Sequence, residues 1–177
     1  MATWSTRGLR GSTLEELINF SIEKYRERHL ALIQKIPAPI KPIQIEKESR
    51  HITLAYFDQK STVDYIGVVQ GIPVCFDAKE CKTDSFPLAN IHEHQVTFMK
   101  DFEQQEGIAF LLLFFRSRDE IYYLPYRDAE HFWNRAEEGG RKSFTYEEID
   151  RTYRVSGTTG LPVHFLEQIQ KDLLERD

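Results

Sequence analysis

A chain of 177 residues with 41% apolar and 29% charged side chains suits one globular domain with a full hydrophobic core. Its longest apolar run, residues 108–115, is far shorter than the roughly 20 residues of a membrane span, and its two cysteines are too few for a disulfide framework, so a cytoplasmic protein without a membrane partner is expected. The net charge of −5 argues mildly against nucleic acid, but residues 1–60 hold ten Lys/Arg against seven Asp/Glu while residues 101–177 hold ten against sixteen, and binding phosphate needs only a local basic patch.

The first residues, MATWSTRGLRG, lack the apolar core of a secretory signal. Residues 1–12 read as a flexible basic arm ahead of a single domain over 13–177. Ser12 or Thr13 is placed to cap a helix, with Glu15 and Glu16 in its first turn. Leu14, Leu17, Ile18, Ile22 and Tyr25 keep helical spacing, so this helix runs from 13 to about 28. Its opposite face, with Lys24, Arg26 and Arg28, is either solvated or a phosphate contact. Residues 29–36 read as a strand, after which Pro37, Pro39 and Pro42 imply an extended connector or edge. Residues 43–57 form a hairpin-like excursion with Lys47, Arg50 and His51 near its tip. That basic loop is either merely exposed or reaches into a nucleic acid.

Residues 61–79, STVDYIGVVQGIPVCFDAK, carry the strongest signal. Alternation predicts two strands joined at Gln70-Gly71. Pairing Val69 with Ile72 sets Asp64 opposite Asp77 and Thr62 opposite Lys79, so all four point to one face. Val63, Tyr65, Val69, Ile72, Val74, Phe76 and Ala78 form the other, apolar face. Two carboxylates opposed across a hairpin repel each other. A divalent cation removes that repulsion, and Mg2+ favours one or two carboxylates plus water and substrate phosphate. Lys79 beside them suits phosphodiester cleavage, either orienting the attacking water or balancing transition-state charge. The competing readings are a solvated polar sheet face and a simple Lys79–Asp77 ion pair.

A helix is expected from about Asn90, its candidate N-cap, to Gln105, with Ile91, Val96, Met99 and Phe102 on its apolar side. Zinc-binding helices of the HExxH kind place two histidines four apart on one face. His92 and His94 are two apart and should diverge by about 200°, which does not fit. Residues 107–115 read as a buried strand turned at Ser117-Arg118-Asp119 into residues 120–124. A short helix over 128–136 is broken by Gly139-Gly140, residues 146–151 suggest one helical turn, and 161–174 reads as a closing helix whose acidic, polar outer face is structural. The fold class is α/β, a single mixed sheet flanked by helices.

The segments TLEE, PIQI, AYF, STVDYIG, FDAKECK, SFPLANIHEHQ and GRKSFTYEEI occur in an order that resembles the RecU-type Holliday-junction resolvases, over residues 8 to 174. That resemblance implies the PD-(D/E)XK nuclease fold with a stalk-like excursion. It also implies a homodimer that cuts two strands of a four-way DNA junction symmetrically, with recombination proteins as further partners. It implies a Mg2+ site, with Mn2+ as a substitute, at Thr62, Asp64, Asp77 and Gln95. Asp64, Asp77 and Lys79 become the catalytic set, and Arg7, Arg10, Lys47 and Arg50 DNA contacts. Glu15 or Glu16 resembles the first-helix acid of related nucleases, with helix capping as the rival role. The chain departs from the family pattern in two places: Asp77 stands where Glu is usual, and the stretch between PIQI and AYF is short. A structure-selective or restriction-type nuclease of this fold, and a non-cleaving recombination protein that binds DNA or a partner, are the alternatives.

Overall fold

The computed structural model describes residues 13–57 and 62–176. Arg7, Arg10 and the N-terminal arm lie outside these. The first helix, α1 (Leu14–Glu27), starts as its sequence dictates. Thr13 accepts from the Glu16 N–H at 3.2 Å, and the Glu16 carboxylate accepts from the Thr13 N–H at 2.8 Å. This reciprocal box satisfies two donors that a helix start leaves open. After α1 come β1 (Leu32–Lys35) and a separate two-stranded ribbon, β2 (Ile40–Ile45) and β3 (Ile52–Phe57).

The ribbon begins earlier than the expected excursion. Pro42 lies within β2, the edge alternative of the two expected, which it tolerates because β2 pairs on one side only. The register shifts between Pro42 and Gln44. Lys47 and Arg50 sit at its turn, both exposed, with the Arg50 N–H donating to the Glu46 carbonyl at 2.9 Å.

The main sheet has seven strands in the order β1-β4-β5-β7-β8-β10-β11. Its strands beyond β1 are β4 (Tyr65–Val69), β5 (Ile72–Cys81), β7 (Ile108–Phe115), β8 (Glu120–Pro125), β10 (Arg154–Thr158) and β11 (Leu161–His164). Two short strands, β6 (Ser85–Pro87) and β9 (Ser143–Thr145), pair apart from it. Only β5 and β7 run parallel; the other main-sheet neighbours are antiparallel. Gln70 and Gly71 both have positive φ, 48° and 93°, as a two-residue turn matching strand twist requires. The β4–β5 register pairs Val69 with Ile72 and ends at Tyr65 with Phe76.

Helices cover both faces of the sheet. Every residue of β7 is buried. Ile108, Phe110, Leu112 and Phe114 face α1 and the C-terminal segment, while Ala109, Leu111, Leu113 and Phe115 join the opposite core. That second core is closed by α2 (Glu93–Gln104) and α3 (Tyr126–Glu137). A strand buried on both sides accounts for the unbroken apolar run IAFLLLFF.

Several expectations are corrected. Residues 88–90 form a 3-10 turn and α2 begins only at Glu93, so His92 rather than Asn90 occupies the N-cap position. Val63 packs in the α2 core rather than with Tyr65, because the ladder stops at Tyr65 and the chain bends at Asp64. The expected closing helix divides at Phe165: residues 161–164 are β11, and α4 spans Leu166–Leu174. Pro162 is acceptable there because β11 is an edge strand. The acids of α4 include one with a structural role. Asp172 is fully buried, accepting from the Tyr123 hydroxyl at 2.5 Å and bonded to Arg127 and Arg176. The turn expected over 146–151 resolves into two 3-10 turns, Tyr146–Glu148 and Arg151–Tyr153.

Candidate metal centre

Beyond Tyr65 the hairpin continues through side chains instead of backbone pairs. The Asp64 N–H donates to Asp77 Oδ1 at 2.7 Å, and the Ala78 N–H donates to Asp64 Oδ2 at 3.0 Å. Each carboxylate thus caps the neighbouring strand's backbone. The Asp64 carbonyl in turn accepts from the Ile36 N–H at 2.8 Å, which ties β1 to the same point. The sequence register therefore brings Asp64 and Asp77 together as expected, and backbone donors offset part of their repulsion.

Asp77 is fully buried, whereas Asp64 keeps part of its surface in water. Lys79, two residues along β5, turns to the same face and sets Nζ 2.7 Å from Asp77 Oδ2. Gln95, on the first turn of α2, completes the group. Its Nε2 donates to Asp77 Oδ2 at 2.5 Å, while its Oε1 accepts from Lys79 Nζ at 3.2 Å and from the His92 N–H at 3.0 Å. One amide thereby closes the start of α2 and locks an aspartate to a lysine. Charged hydrogen bonds out of water are the strong kind.

Burial is the main cause that raises the Asp64 carboxyl above the usual carboxylate range, and the charge of Asp77 adds to it. The Ala78 N–H and Lys79 pull the other way. Negative charge on Asp64 is thus held at a cost. Among the described residues no three His, Cys, Asp or Glu side chains converge on one point. The oxygens gathered here come instead from two carboxylates and a side-chain amide, hard donors of the kind Mg2+ prefers.

Thr62 lies beyond the end of the ladder, so the expected pairing with Lys79 is not formed. It lines an open cleft against the start of α2. His92 and His94 do not diverge: their rings stack with centroids 5.4 Å apart and planes 10° from parallel. The reason is that His92 precedes the helix, in extended backbone.

The first-helix acids are engaged elsewhere. Glu16 closes the capping box and Glu15 pairs with Lys35. Among the described residues neither bonds to Asp64, Asp77, Lys79 or Gln95. The carboxylate that links α1 to β5 is one the sequence reading passed over. Glu80 Oε1 accepts from the Leu14 N–H at 2.6 Å, and Oε2 accepts from Arg116 Nε at 2.9 Å. Its position directly after Lys79 was the available signal, since alternation turns Glu80 to the α1 face.

Residues 9–171 match the family described as recombination protein U, RecU. A Holliday junction resolvase RecU of Staphylococcus carnosus is 41% identical over 173 residues, 95% of this chain and 83% of that protein. Its counterpart in Staphylococcus aureus strain JH9 is 40% identical over the same coverage. A solved structure of Archaeoglobus fulgidus Hjc, a Holliday junction resolvase, covers 65% of this chain and 76% of its own at 9% identity and a TM-score of 0.37. At that distance the likeness carries no weight. The match over nearly the whole length does, and the chain belongs to the RecU family.

Proposed function

We propose that this protein is a metal-dependent endodeoxyribonuclease that resolves four-way DNA junctions, acting as a homodimer in the cytoplasm. The observation that carries the reading is the buried Asp77 carboxylate, held at once by the Asp64 backbone, Lys79 and Gln95. A protein that only binds DNA has no chemical need for such a group. Family membership and the relatives' names as Holliday junction resolvases support the substrate.

Asp64, Asp77, Thr62 and Gln95 would hold Mg2+, or Mn2+ in its place. When bound, such a cation polarises a phosphate oxygen and lowers the pKa of an adjacent water. The chain's own residues set the geometry around it. Asp64 and Asp77 each accept from a backbone N–H of the other's segment, which fixes the spacing of the two carboxylates. Lys79, only 16% exposed, sets Nζ beside Asp77, where it would balance charge growing on the phosphoryl oxygens. Gln95 restrains Lys79 and couples the position of α2 to the site. Arg7, Arg10, Lys47 and Arg50 would neutralise phosphates without reading bases.

The test is cleavage of a labelled synthetic four-way junction beside linear duplex and a three-way flap, with Mg2+, with EDTA, and by Lys79→Ala. Paired symmetric nicks on the junction alone, absent in EDTA and at least ~100-fold slower in the variant, are expected. Equal cutting of all three substrates would leave a nuclease without junction selectivity. Binding without cutting under Mg2+ or Mn2+ would leave a DNA-binding protein only.

A further inference from the structure

The oxygen of the Gln95 amide is already in use. Oε1 accepts from Lys79 Nζ at 3.2 Å and from the His92 N–H at 3.0 Å, while Nε2 donates to Asp77 Oδ2 at 2.5 Å. These partners fix which end of the amide is oxygen. An ammonium and a backbone N–H only donate, and an ionised carboxylate only accepts. Exchanging the two ends would therefore turn every one of these contacts into a repulsion. Gln95 is buried, 6% exposed, so a polar partner left unpaired here costs more than it would at the surface.

A hard cation held by Asp64 and Asp77 takes oxygen from Gln95, not nitrogen. Yet the end of the amide that faces Asp77 is the nitrogen. Bringing Oε1 round to the Asp77 side turns the NH2 group toward Lys79 and the His92 N–H. Both are donors, so both lose their acceptor together. Lys79 is then loosened a second time, because the Asp77 oxygen it meets at 2.7 Å is one that the cation also attracts. The helix itself persists: the Gln95 and Val96 N–H groups donate to the His92 carbonyl at 2.9 and 3.2 Å, and neither bond involves the amide side chain.

We infer that Gln95 is a two-position residue that couples loading of the cation to release of Lys79. In the position described here it holds the lysine against Asp77 and closes the start of α2. Turned to the cation, it frees the ammonium for the phosphate oxygens and leaves the His92 N–H without its acceptor. The inference rests on the cation site proposed above and adds an order to it. The charge of Lys79 becomes available to a substrate phosphate only where the cation is in place, so a phosphate that arrives first meets a lysine still held by Gln95 and Asp77. Gln95 is in this sense a positioning residue, acting through Lys79.

Nuclear magnetic resonance on the full chain tests this. Mg2+ is titrated without DNA while three signals are followed: the backbone amides of Asp64 and Asp77, the Gln95 side-chain NH2, and exchange of the His92 N–H with deuterated solvent. As Asp64 and Asp77 shift to saturation, the Gln95 NH2 signal should move with the same midpoint. Exchange at His92 should speed up by roughly tenfold or more, while exchange at Met99, in the middle of α2, stays as it was. Gln95→Glu offers a second acceptor oxygen, so one can stay on His92 and Lys79 while the other meets the cation. In that variant Mg2+ should leave His92 exchange unchanged; should the variant not fold, the wild-type signals decide alone. Saturable shifts at Asp64 and Asp77 with the Gln95 NH2 and His92 exchange unmoved would overturn the inference and leave the cation site standing. Equal acceleration at His92 in Gln95→Glu would overturn it as well, since α2 would then loosen for another reason. No shift at Asp64 or Asp77, with or without junction DNA, would overturn the inference and the cation site together.

Discussion

Asp77 shows how one side chain organises its surroundings. It is an acid with no exposed surface, tolerated because its oxygens meet a backbone N–H, an ammonium and an amide. Asp64 has fewer compensations, and its carboxyl binds its proton more tightly in the folded chain than in the unfolded one. In the metal-free protein the folded state thus holds more protons once pH rises above the unfolded value near 3.9, and stability falls through that window. Asp64→Asn keeps an oxygen for the Ala78 N–H and removes the charge. In EDTA its thermal midpoint should match wild type near pH 4 and exceed it at neutral pH by about 2–4 °C. That corresponds to about 1 kcal/mol or less, since Asp64 is part-exposed and screened. Parallel pH curves for the two proteins would contradict the account. At this scale the sequence was legible where strand pairing alone decides: the Gln70-Gly71 turn fixed the register that faces Asp64 with Asp77. Gln95 was not legible from spacing, because only packing of α2 on the sheet brings a residue sixteen positions after Lys79 onto it. It came from the family resemblance.

Among the elements, the β2–β3 ribbon stands apart. It pairs only with itself, and Ile43, Ile45, Ile52, Leu54, Tyr56 and Phe57 are all about half exposed or more. Lys47 and Arg50 at its end are the described basic residues we assign to phosphate. Replacing both by alanine should weaken junction binding for all sequences alike. It should also flatten the slope of log K against log salt by about two units, roughly one per lost phosphate contact. An unchanged slope in a salt titration would show that the ribbon tip does not touch the backbone. The ribbon was legible as alternation on either side of a charged turn. The closing segment was less so: Leu161, Val163, Phe165 and Ile169 satisfy a strand followed by a helix and also a longer helix. Gly160 at φ 79°, which turns β10 into β11, distinguishes the two only once β10 is known. Short strands such as β6 and β9, three residues each, carry too little period to be read at all.

The whole chain joins an acidic total to a function on DNA. Its basic excess lies in residues 1–60 and its acidic excess in residues 101–177, where arginines gather around single acids, as Arg135 and Arg141 bracket Glu148 and Arg127 and Arg176 meet Asp172. A basic patch at one end of the chain is what a phosphate backbone needs, and the Asp64–Asp77 pair is where two carboxylates are brought together on the main sheet. Its occupation by a cation is the central claim. The most direct measurement is a Mn2+ titration followed by electron paramagnetic resonance, on wild type and on Asp64→Asn, each with junction DNA and with DNA alone as the blank. The account predicts saturable binding by the wild-type complex above that blank, and its loss in the variant. Identical isotherms for the two proteins would place the metal elsewhere and contradict it.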